Sequence, residues 1–293
     1  MTIKQALSQA SEILAANHIE DSPLESGLLL RHTLKIDRVQ LYLGLDGELS
    51  SDQSREFWRL VERRLKREPT AYLTGHREFF GLDFYVDSSV LIPRPESELL
   101  VEKALEMAQN HPRASIAEIG TGSGAIAISL ATKLPQARIY ATDISDSALK
   151  VASFNCLKHG VENRVCLLEG DLLDPVSEPV DLIVANLPYV KESDLARMDM
   201  ESFEPRLALN GGEDGLDKIQ RLCRQIAGKL RPRGCLLLEI GQGQGEAVSD
   251  FLGGLFPSAG LELAPDLSRI DRVVKLTIEP QTAHQHLDAG LIK

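Results

Sequence analysis

The chain is short of cysteine, of tryptophan and of long apolar runs, and each shortage removes a class of protein. Its 293 residues hold four Cys and one Trp, and no apolar stretch approaches the length needed to span a membrane. Cys156, Cys166, Cys223 and Cys235 form no Cys-x-x-Cys pair and have no His at metal-ligand spacing. They therefore read as buried thiols in a reducing compartment rather than a disulfide framework or a zinc site. The first residues show an amphipathic pattern with Lys4 and Glu12 and no apolar signal core, so the expected location is the cytoplasm, with no membrane partner. Positive charge is scarce too. Lys and Arg number 32 against 43 Asp and Glu, a net charge of -11 with a pI near 5.2. Gripping free nucleic acid requires a basic footprint, so direct nucleic-acid binding is not expected.

What is present is ordinary globular material, 43% apolar, enough for one large domain and one small one. Ile3, Ala6, Leu7, Ala10, Ile13 and Leu14 recur at helical spacing, predicting a helix over 2–16. Ser22, Pro23 and Glu25 read as N-cap, first-turn proline and capping-box acid of a second helix to about Leu34. A short third helix starts at Asp37, and a fourth from Ser51 carries Phe57, Leu60, Val61 and Leu65 and stops before Pro69. Residues 1–70 are thus a small helical bundle without a catalytic constellation. Its basic run, Arg63, Arg64, Lys66 and Arg67, is flanked by Glu62 and Glu68 and reads as a solvated helix face. Residues 71–93 alternate around Gly81, with Phe79, Phe80, Phe84, Tyr85 and Val86, predicting a β-hairpin linker. The prolines on either side of Arg94 aim it at a ligand, a partner or a nearby acid.

From residue 94 to 279 strands and helices alternate. A strand over 115–119 runs into Gly120-Thr121-Gly122-Ser123-Gly124 and a helix over 125–133; a second over 138–142 ends at Asp143; a third over 164–168 leads to Gly170-Asp171. The fourth, from Val180, breaks into Asn186-Leu187-Pro188-Tyr189. A Gly-Gly-Glu-Asp-Gly turn at 211–215, a helix over 216–230, a strand over 234–240, a helix over 245–252 and strands around Leu261 and Val273 complete a sheet. Residues 280–293, with His284 and His286, read as a flexible tail rather than a metal site.

Glycines after the first strand let backbone approach a ligand at a helix N-terminus, and an acid closing the next strand can accept hydrogen bonds from a ribose. Gly120, Gly122 and Ala125 fit a dinucleotide fingerprint equally well, so these features alone serve either NAD or another adenosine cofactor. Asn186-Leu187-Pro188-Tyr189 narrows the choice. The Asn186 side-chain carbonyl and the Leu187 backbone carbonyl, stiffened by Pro188, can converge on one NH2 group, while Tyr189 offers an aromatic face. That suits a planar amide or an exocyclic amine. A dehydrogenase would leave the tetrapeptide unused and lacks a His or Lys placed for hydride chemistry.

Glu118 to Gly124, Asp143, Asp171 and Asn186 to Tyr189 resemble, in order and spacing, the motifs of class I S-adenosylmethionine-dependent N-methyltransferases. More narrowly, the blocks at 72–80, 91–96 and 203–216 resemble the protein-(glutamine-N5) methyltransferases of the HemK/PrmC type, which modify peptide chain release factors; the likeness spans about residues 1–278. The resemblance implies an α/β, Rossmann-like domain with a mostly parallel seven-stranded sheet, a release-factor-binding N-terminal bundle and a linking hairpin. It implies S-adenosyl-L-methionine as cofactor and the glutamine of the Gly-Gly-Gln loop of class 1 release factors as substrate. Carried over by position, Glu118, Gly120, Thr121, Gly122, Gly124, Asp143, Asp171, Leu172 and Asn186 would contact the cofactor, Asp171 beside the adenine. Asn186, Leu187, Pro188 and Tyr189 would hold the glutamine amide, with Asn186, Pro188 and Tyr189 catalytic. Leu187 departs from the usual proline but still supplies its carbonyl. Asn-Leu-Pro-Tyr is also similar to the motif of adenine N6 methyltransferases, so a nucleic-acid adenine, like a ribosomal-protein glutamine, is the alternative substrate.

Overall fold

A computed structural model describes residues 1–109, 111, 113–196 and 203–278. The tail over 280–293, with His284 and His286, lies outside them, as does residue 279. The bundle forms as its apolar spacing requires: α1 (Ile3–Ala16), α2 (Ser22–Leu34), α3 (Arg38–Leu43) and α4 (Ser51–Leu65) enclose Leu14, Leu29, Leu30, Phe57 and Leu60, all nearly inaccessible. Capping boxes on Thr2, Asp37 and Ser50 start three of these helices.

The start of α2 departs from expectation. Ser22 is its first helical residue, Asp21 precedes it in a left-handed conformation, and no side chain caps it. Glu25 instead accepts hydrogen bonds from Arg64 Nε at 2.7 Å and from the Thr70 hydroxyl, tying α2 to α4 and to α5 (Thr70–Thr74). The basic run is correspondingly less solvated than expected, because Arg63 pairs with Glu68, Arg64 with Glu25, and Arg67 donates to the Asn17 carbonyl at 3.0 Å.

The linker is shorter than its alternation suggested. Residues 70–74 form the helical turn α5, and the hairpin proper is β1 (His76–Phe79) and β2 (Leu82–Tyr85). Phe80 and Gly81 both have positive φ, 52° and 73°, the two-residue turn that matches strand twist. The alternating Thr-Ala-Tyr-Leu-Thr segment turns helical through tertiary contact: Tyr72 Oη donates to the Val90 carbonyl at 2.6 Å, and α5 packs on α2. The hairpin is fastened to the large domain by the fully buried Asn155, which donates to the Tyr85 carbonyl at 2.9 Å and accepts from its N–H at 2.8 Å.

The large domain contains α6 (Glu98–Ala108), β3 (Ser115–Ile119), α7 (Ala125–Lys133), β4 (Arg138–Asp143), α8 (Asp146–Lys158), β5 (Val165–Glu169), β6 (Val180–Ala185), the short α9 (Glu192–Leu195), α10 (Asp217–Gln225), β7 (Leu230–Glu239), α11 (Gly245–Leu255), β8 (Gly260–Pro265) and β9 (Asp271–Thr277). Seven strands lie in the order β5-β4-β3-β6-β7-β9-β8, and β9 alone runs against the rest. α10 stops five residues earlier than its apolar pattern suggested, and β7 begins where that helix was expected to end. Successive strand residues divide the core between two faces. Ile116, Leu182 and Leu237 pack under α6 and α7, whereas Ala117, Ile183 and Leu236 pack under α10 and α11. Strand order reverses between β3 and β6, and such a switch point opens a crevice at the carboxyl ends of the strands.

Candidate active site

The loops that leave β3 and β6 form the walls of that crevice. After β3 the backbone must turn at once toward α7, and Gly120 and Gly122 allow it at φ values of 76° and 54°. Both line the cleft. A side chain at Gly120 would press on Leu187 Cδ2, at 3.3 Å, so the two loops touch there. Leu187, where the resembled family carries proline, is thus a buried packing residue holding the second wall to the first.

Asp143 closes β4 and organises the glycine loop. Its carboxylate accepts from the Gly122 N–H at 2.8 Å and from the Ser145 N–H at 2.9 Å. Burial pushes its pKa up, while those backbone donors pull it down. Asp171 and Leu172, beyond β5, line the far end of the same cleft. Asp171 is also ion-paired with Arg221, and the Leu172 carbonyl accepts from the Thr142 hydroxyl at 2.9 Å.

Asn186, Leu187 and Pro188 face the cleft from β6. The Asn186 Nδ2 donates to the Ser97 hydroxyl at 2.9 Å, and Oδ1 is then left as the acceptor of that side chain. Tyr189 stands apart from the cleft wall. Its hydroxyl donates to Glu239 Oε1 at 3.4 Å, and burial, with the nearby Glu239, pushes it up to about 12. That bond ties the tetrapeptide to the end of β7. The turn at 211–215 holds the tetrapeptide from outside: the Gln244 Nε2 bonds the Tyr189 and Gly215 carbonyls at 3.2 and 3.3 Å. Gly215, at φ 80°, has no room for a side chain beside the Tyr189 carbonyl. Gly215→Ala should cost about 2 kcal/mol of stability, seen as a lower Tm for the large domain.

Three of the expected cofactor residues lie beneath the loop rather than on the cleft wall: Glu118, Thr121 and Gly124 are all buried. Glu118 is 1% exposed and its Oε2 lacks a hydrogen-bond partner among the described residues. Burial drives its pKa up to about 8, opposed by the Thr121 hydroxyl and aided by Asp143. Unfolding releases this carboxyl to its ordinary value near 4.5, so between that pH and about 8 the folded state holds a proton that the unfolded chain has lost. Stability contributed by Glu118 is thus complete at low pH and is lost as pH rises through 8. Glu118→Gln should flatten the fall in Tm over that window, which melts at stepped pH would show.

Sequence reasoning overlooked four supporting residues. Ser97 anchors Asn186, Gln244 holds the tetrapeptide, and Glu239 sits behind both with its pKa pushed up to about 7 by burial. Glu204 accepts from the Ile92 N–H at 3.1 Å and pairs with Arg94 at 2.5 Å, which settles where that arginine points. Glu239 carried a readable signal, an acid closing an apolar strand just as Asp143 does, and Glu204 lies in the block over 203–216. Of the four cysteines, Cys156, Cys223 and Cys235 are buried and Cys166 is partly so; burial raises the first three thiols to between about 11 and about 12.

Comparison with known proteins identifies the family. Residues 5–75 match the PrmC N-terminal domain, and residues 95–203 match the Methyltransferase small domain. The chain is 46% identical to the release factor glutamine methyltransferase of Moorella thermoacetica, over 93% of this chain and 97% of that one. It is 41% identical to the namesake in Geobacter sulfurreducens, over 93% and 95%. In fold alone it resembles the hMettl16 catalytic domain solved with the MAT2A 3'UTR hairpin 6, at a TM-score of 0.57 and 15% identity, over 73% of this chain and 82% of that one. With identity of that order running nearly end to end through both proteins, the chain belongs to the release factor glutamine methyltransferase family.

Proposed function

We propose that this chain methylates the side-chain amide nitrogen of the glutamine in the Gly-Gly-Gln loop of class 1 peptide chain release factors, with S-adenosyl-L-methionine as methyl donor, in the cytoplasm. The observation that carries the reading is the fixed Asn186 amide: its nitrogen is committed to Ser97, and Asn186 and Leu187 both line the cleft, so the amide oxygen and the Leu187 carbonyl are read as its two acceptors. Two acceptors match the two N–H bonds of a carboxamide. Holding both of them aims the nitrogen lone pair, otherwise delocalised into the carbonyl, in one direction.

The cleft also fits the donor. S-adenosylmethionine supplies an electrophilic methyl group on a sulfonium, and it brings a second positive charge on its amino group. Glu118 leaves one oxygen without a partner among the described residues beneath the glycine loop, and Asp143 adds a second carboxyl there, so the donor's polar end meets acceptors rather than apolar wall. Gly120 and Gly122 let backbone approach closely, and Asp143 retains acceptor capacity for ribose hydroxyls. Asp171 and Leu172 are assigned to the adenine end. Thr121 and Gly124 act by shaping the loop from beneath, and Asn186 borders the donor's reactive end. Pro188 and Tyr189 complete the substrate grip by keeping the Leu187 and Asn186 acceptors still. Proximity and orientation of this kind are worth roughly 7–11 kcal/mol in favourable cases.

Residues 1–70 are assigned to release-factor binding, 71–93 to the link, and 94–279 to the catalytic domain. The test is mass spectrometry of a purified class 1 release factor after incubation with the protein and S-adenosylmethionine. One added methyl on the Gly-Gly-Gln peptide is expected. An unmodified peptide with cofactor binding intact would overturn the assignment and turn attention to a ribosomal-protein glutamine or an adenine.

A further inference from the structure

Ser97 lies on the helical turn before α6, far from β6 in sequence, yet its hydroxyl accepts the Asn186 Nδ2 hydrogen bond at 2.9 Å. It is 3% exposed. That hydroxyl also lies close enough to the Glu239 carboxyl at the end of β7 to pull its pKa down. Glu239 is 2% exposed; its Oε1 takes the Tyr189 hydroxyl and its buried Oε2 has no hydrogen-bond partner among the described residues. A buried carboxylate with an oxygen to spare, beside a serine, calls for the serine's proton.

The consequence follows from counting hydrogens. A hydroxyl has one proton and two lone pairs. If Ser97 donates its proton to Glu239, it can only accept from Asn186. It then selects the amide orientation with nitrogen toward Ser97 and oxygen toward the cleft. If Ser97 donated to Asn186 instead, the amide would turn over and present NH2 to the substrate, a donor facing a donor. We propose that Ser97 and Glu239 are positioning residues that set the direction of the Asn186 amide, through a one-way hydrogen-bond relay from Asn186 to Ser97 to Glu239. This rests on the function proposed above and adds to it the pair of residues that decide which end of Asn186 meets the glutamine.

The relay needs the carboxylate form of Glu239. Protonated, that group would donate to Ser97 and reverse the chain. Besides Ser97 and Tyr189, the groups acting on it are Glu96, which raises its pKa, and Arg272 on β9, which lowers it; burial outweighs them and the carboxyl titrates near 7. Turnover should therefore rise as pH passes upward through about 7.

The test uses the full-length protein with a class 1 release factor. Ser97→Ala should lower kcat about tenfold, the size of one lost orienting hydrogen bond, with cofactor Kd unchanged, and Ser97→Thr should restore it. Glu239→Gln should erase the rise in kcat between about pH 6 and about pH 8 that the parent protein shows. A second readout needs no substrate. In 15N spectra of asparagine-labelled protein, the Asn186 side-chain NH2 should exchange slowly with solvent and lose that protection in Ser97→Ala. Unchanged kcat and unchanged protection in Ser97→Ala, or an intact pH step in Glu239→Gln, would overturn the relay. A parent protein inactive on the release factor, whose Asn186 protection still depends on Ser97, would sink the substrate assignment and leave the relay standing.

Discussion

Asn186→Ala should reduce turnover on the release factor about a thousandfold while shifting cofactor affinity by less than about threefold. The size follows from removing an acceptor that acts where geometry decides rate; deletion of a single preorganised hydrogen-bonding group in an active site costs about 100- to 1000-fold. The selectivity follows from position. Asn186 lies on the β6 wall and is tied to Ser97, whereas the glycine loop and Asp143 are organised from β3 and β4. Deleting the Asn186 side chain leaves that second group of contacts intact. Initial rates at saturating cofactor, together with calorimetric titration of S-adenosylmethionine, measure the two quantities separately. A large loss of cofactor affinity with normal turnover at saturation would reassign Asn186 from substrate to cofactor.

Asp143→Ala should do the reverse, weakening cofactor affinity about a hundredfold and leaving kcat at saturation within about threefold. Asp143 makes two charge-assisted hydrogen bonds, to the Gly122 N–H at 2.8 Å and the Ser145 N–H at 2.9 Å. Hydrogen bonds to a charged group contribute about 1.5–3 kcal/mol each, and their loss leaves two backbone donors seeking new partners. The loop that presents Gly120 and Gly122 to the cleft is then unanchored on its β4 side, and the ribose acceptor is gone. The same titration and initial-rate measurements check this, and Asp143→Asn, which keeps an acceptor oxygen, should lose less. Equal losses in Asp143→Ala and Asn186→Ala would mean that one shared set of contacts holds both ligands.

Much of this architecture is legible before any coordinates. The two faces of the sheet follow from the strands themselves, since the parallel strands β3, β4 and β6 are apolar on both sides and must be covered twice. The bundle follows from apolar spacing at three and four residues, and its capping boxes are written locally in Thr2-to-Gln5, Asp37-to-Gln40 and Ser50-to-Gln53. Glu25 shows the limit of such signals. The pattern Ser22-Pro23-x-Glu25 satisfies the same local rule, yet the side chain bonds Arg64 and Thr70. A paired acid bridging three helices outweighs a cap that exposed backbone can obtain from water.

The supports of the site were hidden for the same reason. Ser97, Glu204, Glu239 and Gln244 meet Asn186, Arg94 and Tyr189 across wide sequence separations, through bonds no local window contains. Tyr189 illustrates the cost: an aromatic residue beside Asn-Leu-Pro reads as a platform for substrate, but its hydroxyl is drawn down to Glu239. Order along the chain was enough to decide the helical bundle, the alternation of strands and helices, the glycine loop, the two acids and the Asn186 tetrapeptide. Those depend on periodicity, backbone freedom and residue chemistry, which are local. Folding alone decided which partner takes the Asn186 amide nitrogen, which acids have their pKa raised by burial and which wall Leu187 packs against. Those depend on burial and on partners that only a closed sheet brings together.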